Sequence, residues 1–264
     1  YSACFSLSFH KCGIFLRESN NLFQSLNNYN FLYKFIFFQL IKISYRNSSL
    51  ITPSIDLSKK LKKKFRIKSK VYSLPNPILN KKIKLKLKKK FDFINIGSLS
   101  YQKDHLTLLK AFKDALKKKN NLKLLIIGEG NLKQKISRYI FENNLTNNVK
   151  ILKNTHNLNK YLSLSKMFIL SSKYEGYPNV LLDAANAKMP IISTNCKFGP
   201  YEILGKGKFG KLFDVGDYKS LSRIMLKDYK SIKIIPSNIL KNNKIEKIAI
   251  KYNDLFSKKN IRKN

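Results

Sequence analysis

Phe91-Asp-Phe-Ile-Asn-Ile-Gly97 opens the part of the chain whose reading decides the fold. A mostly apolar run that stops at a glycine is the pattern of a buried strand closed by a tight turn. Leu106, Leu108, Leu109, Phe112, Ala115 and Leu116 follow at helical spacing and mark the inner face of an amphipathic helix. The alternation then repeats. Leu122–Ile127 reads as a second strand, closed by Gly128-Glu-Gly130 and followed by a helix through Ile140. Val149–Leu152, Met167–Leu170 and Ile191–Thr194 read as further strands, with a helix over Asn179–Ala187 between the last two. Alternating elements of this length predict an α/β domain with a parallel, doubly wound sheet. Ligands of such sheets sit at the carboxyl ends of the strands, which here are Gly97, Gly128 and Ser171–Glu175.

Upstream the pattern weakens. Residues 1–50 are aromatic and aliphatic with little periodicity, and Gly13–Arg17 is the one strand there with a clear edge. Ser48–Ser54 is a short apolar stretch ending in turn formers, and Asp56–Phe65 reads as a helix with a basic outer face. Val71–Ile78 reads as a strand closed by a rigid Pro-Asn-Pro turn. Lys81–Lys90 alternates lysine with Ile or Leu and reads as a linker into the regular domain. The apolar run Phe31–Ile43 contains Lys34 and Lys42 and is too short to span a bilayer.

Lysine and arginine total 53 against 15 acids in 264 residues, a formal charge of +38. Only Arg17, Arg46, Arg66, Arg138, Arg223 and Arg262 are arginines. Nucleic-acid readers rely on the bidentate guanidinium, so this composition argues against a nucleic-acid partner. Most of the lysine excess, scattered among frequent Asn and Ile, reads as codon bias. What remains would draw the chain to anionic membranes and phosphorylated substrates. Cys4, Cys12 and Cys196 show neither metal spacing nor a paired framework, which suits cytoplasmic thiols.

The segment richest in chemistry is Ser171-Ser-Lys-Tyr-Glu-Gly-Tyr-Pro-Asn-Val-Leu-Leu-Asp-Ala184. A strand ends in small hydroxyls, an acid–glycine turn follows, and a helix begins near Asn179. The start of that helix suits a diphosphate or a cluster of sugar hydroxyls. Glu175 and Asp183 can both face one cleft and accept hydrogen bonds from several hydroxyls. By spacing alone each is equally well a solvated acid, Glu175 on a loop and Asp183 on a helix surface.

This stretch resembles the Glu-x7-Glu signature of retaining glycosyltransferases of group 1, or family four. Gly97-Ser-Leu-Ser-Tyr-Gln-Lys-Asp-His105 resembles the family's glycine loop with its downstream lysine, and Ile126-Ile-Gly-Glu-Gly130 its second strand and turn. Pro190–Thr194 and Gly199-Pro-Tyr-Glu-Ile203 resemble the segment closing the donor pocket. Thr52–Leu57 and Asn76-Pro77 resemble the end of the acceptor domain and the interdomain crossing.

The resemblance implies a GT-B fold of two Rossmann-like domains. The first, incomplete at its start, would run to residue 82, and a donor domain would cover 83–235. Residues 236–264 would supply a helix, Lys244–Phe256, that packs back on the first domain, and a tail. It further implies transfer of a hexose, with retention, from a UDP- or GDP-sugar to a glycan or lipid-linked hydroxyl, in cell-surface polysaccharide synthesis. Glu175 would contact the donor sugar, Asp183 the ribose, and Lys103 the diphosphate, which Gly97 lets approach the backbone. Ser98, Gly128, Glu129, Gly176, Tyr177, Pro178 and Asn179 would line the donor site. No cofactor and no metal are implied. The expected location is cytoplasmic, at the inner face of the membrane. Two departures stand out: Ser98 occupies the position of a common arginine, and Asp183 is one methylene shorter than the usual Glu. His10 is not assigned, and Arg17, Glu18 and Ser19 stand where many relatives place a functional histidine, so no acceptor-side base is named. A non-catalytic or epimerase-type relative, or a basic nucleic-acid-binding protein, are the alternative readings.

Overall fold

The computed structural model describes residues 14–19, 22, 30–46, 48–78, 87–155 and 157–260. Cys4, Cys12, His10 and residues 81–86 of the expected linker lie outside them. The chain divides into two compact units, residues 1–77 with 242–264, and residues 78–241.

In the first unit β1 (Phe15–Arg17), α1 (Phe31–Arg46), β2 (Ser49–Thr52), α2 (Ile55–Phe65) and β3 (Val71–Ser73) build a parallel sheet of order β1-β2-β3. β2 is the middle strand and is buried along its whole length. α2 starts where the Ser54 hydroxyl accepts a hydrogen bond from Leu57 N at 3.3 Å. Leu57, Leu61 and Phe65 form its buried stripe, and it ends at Arg66 in the left-handed region, φ 50°. One element is added and one expectation is corrected here. The weakly periodic residues 1–50 contain α1, whose apolar residues occupy the outer as well as the inner face, which erases the period. The expected strand Val71–Ile78 stops at Ser73, because Pro75 and Pro77 have no N–H to extend the ladder.

The second unit runs β4 (Phe91–Ile96), α3 (His105–Leu116), β5 (Leu124–Ile127), α4 (Lys133–Glu142), β6 (Val149–Leu152), α5 (Leu158–Ser163) and β7 (Ser165–Leu170). It continues with α6 (Asn179–Asn186), β8 (Ile191–Thr194), α7 (Pro200–Ile203), β9 (Lys211–Phe213) and α8 (Tyr218–Met225). The sheet order is β6-β5-β4-β7-β8-β9, every neighbouring pair parallel. Counted from β4, this is the 3-2-1-4-5-6 order of a doubly wound Rossmann sheet.

Alternation along the strands feeds two cores. Phe93, Leu124, Ile126, Met167 and Ile169 pack beneath α3 and α8 on one face. Ile94, Leu125, Ile127, Phe168 and Leu170 pack beneath α6 on the other. Burial on both faces makes these strands near-continuous apolar runs. Each large side chain buried contributes about 1.5–3 kcal/mol. Asn95 is the polar exception: its Nδ2 donates to Ile169 O at 2.8 Å, a side-chain tie between β4 and β7.

α9 (Ile245–Asn260) returns to the first unit. There Phe256 meets the Phe15 ring edge-on at 5.0 Å, and Arg17 Nη1 donates to the Tyr252 hydroxyl at 2.6 Å. Phe15 and Arg17 are two residues apart, so both leave the same face of β1.

Candidate functional site

The order of the second sheet reverses between β4 and β7, and the ligands of doubly wound sheets sit outside the carboxyl ends of the strands at such a point. Their following loops carry the chemistry. After Gly97 the chain makes a 3-10 turn, Tyr101–Lys103, and then a sharp corner at Asp104. Asp104 lies in the left-handed region, φ 47°, which a short polar side chain tolerates. It also caps α3, its carboxylate accepting from Thr107 N at 3.4 Å and from the Thr107 hydroxyl at 2.8 Å. The corner separates Lys103 from the helix, at the carboxyl end of the sheet.

Lys103 Nζ donates to Glu175 Oε1 at 2.6 Å, across the reversal point. The same oxygen accepts from the Ser172 hydroxyl at 2.7 Å, and the other carboxylate oxygen takes part in neither bond. Only 17% of the Lys103 side chain and 6% of that of Glu175 is exposed, so the charges meet with little water between them. The two loops are tied to each other by further bonds. Ser171 Oγ donates to Lys103 O at 2.8 Å, Lys173 N to Gln102 O at 2.8 Å, and Gln102 Nε2 to Tyr174 O at 3.0 Å. Lys173 Nζ stands 3.6 Å from the centroid of the Tyr101 ring. Thr194, at the end of β8, anchors the arrangement by donating to Ser172 O at 2.8 Å.

Glycine is required where backbones cross. A Cβ on Gly128 would lie 1.9 Å from Gly97 O, and one on Gly97 would lie 3.3 Å from the Lys103 side chain. The loops after β4 and β5 therefore interlock, an arrangement that Leu99 N, donating to Glu129 O at 2.8 Å, holds in place. On the β7 side, Gly199 at φ 78° presses against Pro178 and the Gly176 carbonyl. That contact packs the segment entering α7 against the turn entering α6.

The structure thus brings Gly97, Gly128, Lys103 and Glu175 together, with Gly176, Tyr177 and Pro178 buried beside them. Asn179 is the exposed first residue of α6, and Asp183 is half-buried further along that helix. Ser98 and Glu129 are exposed, and the Ser98 hydroxyl lies 3.1 Å from that of Ser100. Gln102, Thr194, Asn95 and His105 escaped the sequence reading. His105 is buried with neither ring nitrogen hydrogen-bonded. Burial, with Lys103 nearby, lowers its pKa to about 4, so the ring is neutral at pH 7. Cys196 follows β8, and burial pushes its thiol up to about 12, so it adds no charge near Glu175. A glutamine next to a lysine in a loop carries no signal of a backbone tie 72 residues away.

The model of the family described as glycosyl transferases group 1 matches residues 78–233. The chain belongs to this family. An uncharacterized glycosyltransferase of Methanocaldococcus jannaschii is 42% identical over 152 residues, 55% of this chain and 37% of that protein. A diphospho-undecaprenol 4-alpha-N-acetylgalactosaminyltransferase of Campylobacter jejuni is 32% identical over 175 residues, 63% of this chain and 47% of its own length. The chain thus spans less than half the length of these two glycosyltransferases. Among solved structures, a point mutant of TarM from Staphylococcus aureus, in complex with UDP and other ligands, aligns with a TM-score of 0.77 at 21% identity. That alignment covers 94% of this chain and 52% of TarM. Anabaena HepE, solved with UDP and glucose, aligns with a TM-score of 0.77 at 12% identity, over 97% of this chain and 74% of its own. With these neighbours and its parallel Rossmann-like sheets, this group 1 glycosyltransferase chain has the GT-B fold.

Proposed function

We propose that the second unit binds a nucleotide diphosphate sugar, UDP-linked or GDP-linked, at the carboxyl ends of β4, β5 and β7. The hexose then passes with retention to a hydroxyl of a glycan or lipid-linked acceptor. The observation that carries this reading is the Lys103–Glu175 pair joining the two loops at the reversal point. A diphosphate is a stronger partner for Lys103 than one carboxylate, because it offers more charge and more acceptor oxygens. As Lys103 turns to the phosphates, Glu175 is released to accept hydrogen bonds from sugar hydroxyls. In the transfer, the bond from the anomeric carbon to the diphosphate oxygen breaks and one to the acceptor oxygen forms. The acceptor's proton leaves with the diphosphate. Lys103 then opposes the negative charge growing on the leaving group, which is the form of stabilisation that lowers a barrier. Asp183 takes the ribose hydroxyls, while Ser98, Glu129, Gly176, Tyr177, Pro178 and Asn179 line the donor. No metal or cofactor enters the scheme.

Support comes from the family, from the UDP bound by TarM and by HepE, and from relatives named for polysaccharide synthesis, such as the capsular glycosyltransferase CapM of Staphylococcus aureus. By the same analogy the proposed place of work is the cytoplasmic face of an anionic membrane. The test is calorimetric titration with UDP, GDP and their sugar conjugates, on wild type, Lys103→Ala and Glu175→Ala. Saturable binding that both substitutions weaken roughly tenfold or more is expected. A folded protein that binds none of them overturns the proposal.

A further inference from the structure

We propose that Ser172 is a positioning residue for the donor sugar: its hydroxyl holds the Glu175 carboxylate in place when Lys103 turns to the diphosphate. The proposal rests on the function proposed above and adds a residue that acts through Glu175 instead of on the ligand. Ser171 and Ser172 follow β7 directly, and both are wholly buried. Their hydroxyls go to different kinds of partner. Ser171 Oγ donates to main chain, Lys103 O at 2.8 Å, and so braces the loop that carries the lysine. Ser172 Oγ donates to a side chain, Glu175 Oε1 at 2.7 Å. An ionised carboxylate only accepts, so the one hydroxyl proton of Ser172 is committed to that bond. Ser172 is itself tied to the rigid part of the fold. Thr194, at the end of β8, donates to Ser172 O at 2.8 Å, and the Leu170–Ser193 pairing registers β8 against β7. The carboxylate stands on a loop, but the hydroxyl that holds it is fastened to the sheet.

Lys103 Nζ, at 2.6 Å, is the other donor to Oε1. When a diphosphate draws the lysine away, Glu175 loses that support while it is still largely buried. A buried carboxylate short of donors is costly, and it lowers that cost by turning after the cation or by keeping the donor it has. Ser172 selects the second course, because a hydrogen bond to a charged acceptor is among the stronger ones in a protein. With Oε1 pinned, Oε2, which takes part in neither bond, is the oxygen left to accept from sugar hydroxyls. The two buried serines thus divide the work. Ser171 supports the lysine, and through it the diphosphate that every donor nucleotide carries. Ser172 supports the carboxylate, and through it the sugar that a free diphosphate lacks.

The experiment is calorimetric titration of the whole chain with UDP, UDP-glucose, UDP-N-acetylglucosamine, GDP and GDP-mannose, on wild type, Ser171→Ala and Ser172→Ala. Ser172→Ala is expected to weaken the sugar conjugate that wild type binds by about ten- to a hundredfold, and the matching free diphosphate by about threefold or less. Ser171→Ala is expected to weaken both ligands alike. In a Glu175→Ala background, Ser172→Ala should weaken the conjugate no further, since the residue acts through the carboxylate. If Ser172→Ala loses the wild-type circular dichroism, Ser172→Cys, which keeps the bulk and only a weak donor, carries the same expectations. Equal weakening of conjugate and free diphosphate overturns the proposal, as does an undiminished effect in the Glu175→Ala background. A folded wild type that binds no nucleotide defeats the proposed function. A wild type that binds the conjugate, with Ser172→Ala no different from it, defeats only the role of Ser172.

Discussion

Two lysine–carboxylate pairs bridge β4 and β7, one at each end. At the amino end, Lys166 within β7 meets Asp92 within β4 at 2.8 Å, and Asp92 also accepts from Lys123 N. Both side chains there belong to regular strands, and 35% of Lys166 is exposed. At the carboxyl end, the Lys103–Glu175 partners stand on loops and are less exposed, at 17% and 6%. A pair on strands can only hold the sheet in register. A pair on loops, surrounded by backbone ties and glycine crossings, can open toward a ligand without moving a strand. Fixed strands and adjustable loops are the division of labour expected of a binding site on a rigid scaffold.

The sharpest way to break the contrast is Gly128→Ala. The added methyl would meet Gly97 O at 1.9 Å, so the β4 and β5 loops must part, with a cost of about 3 kcal/mol in a chemical denaturation series. A substitution of similar size at the amino end has no such crossing to disrupt. Glu175→Gln is next: it leaves Lys103 largely buried beside a neutral amide and costs about 2 kcal/mol. Saturating UDP should recover that loss in a thermal melt if the diphosphate takes over Lys103. Unchanged stability in Glu175→Gln would place this pair with the weak surface pairs and remove the contrast.

His105 gives the comparison a dependence on pH. Its folded pKa of about 4 lies below the ordinary 6.5, so the unfolded chain binds the proton first. The stability tied to the neutral ring is complete above about pH 6.5 and falls as pH drops toward 4. About 2 kcal/mol should be lost between about pH 7 and about pH 5, and His105→Phe should flatten that slope in melts across the range. The smallest effect belongs to the amino end. Asp92→Asn should cost about 1 kcal/mol or less and leave nucleotide titrations unchanged.

The second unit was legible because its strands are buried on both faces and end in glycines. Phe91–Ile96 and Ile191–Thr194 form over the residues expected of them. In the first unit β1, α2 and the start of β3 were legible, but α1 was not, since it has apolar residues all round and lacks the period that betrays a helix. Four elements of the second unit, α5, α7, β9 and α8, went unread; the first three are short and lack the apolar run that marks the equally short β5, β6 and β8. At the site, Lys103 and Glu175 were singled out by motif, and the structure puts them in contact. What spacing could not supply was the second layer. Gln102, Thr194 and Asn95 act through single hydrogen bonds to main-chain oxygens far along the chain. Such bonds depend on where the sheet brings two loops, and composition and period carry no trace of them.

The sheet order also sets a timetable for the ribosome. β4 is synthesised first in its unit but ends in the middle, with Phe93 waiting for Met167. At about 5–20 residues per second, the roughly 70 intervening residues take on the order of 4–15 seconds to emerge. Through that interval β4, β5 and β6 make a half-sheet whose growing edge is an apolar strand that still lacks its partner. Nascent chains paused within this window would be the ones most prone to pair with each other or to recruit a chaperone.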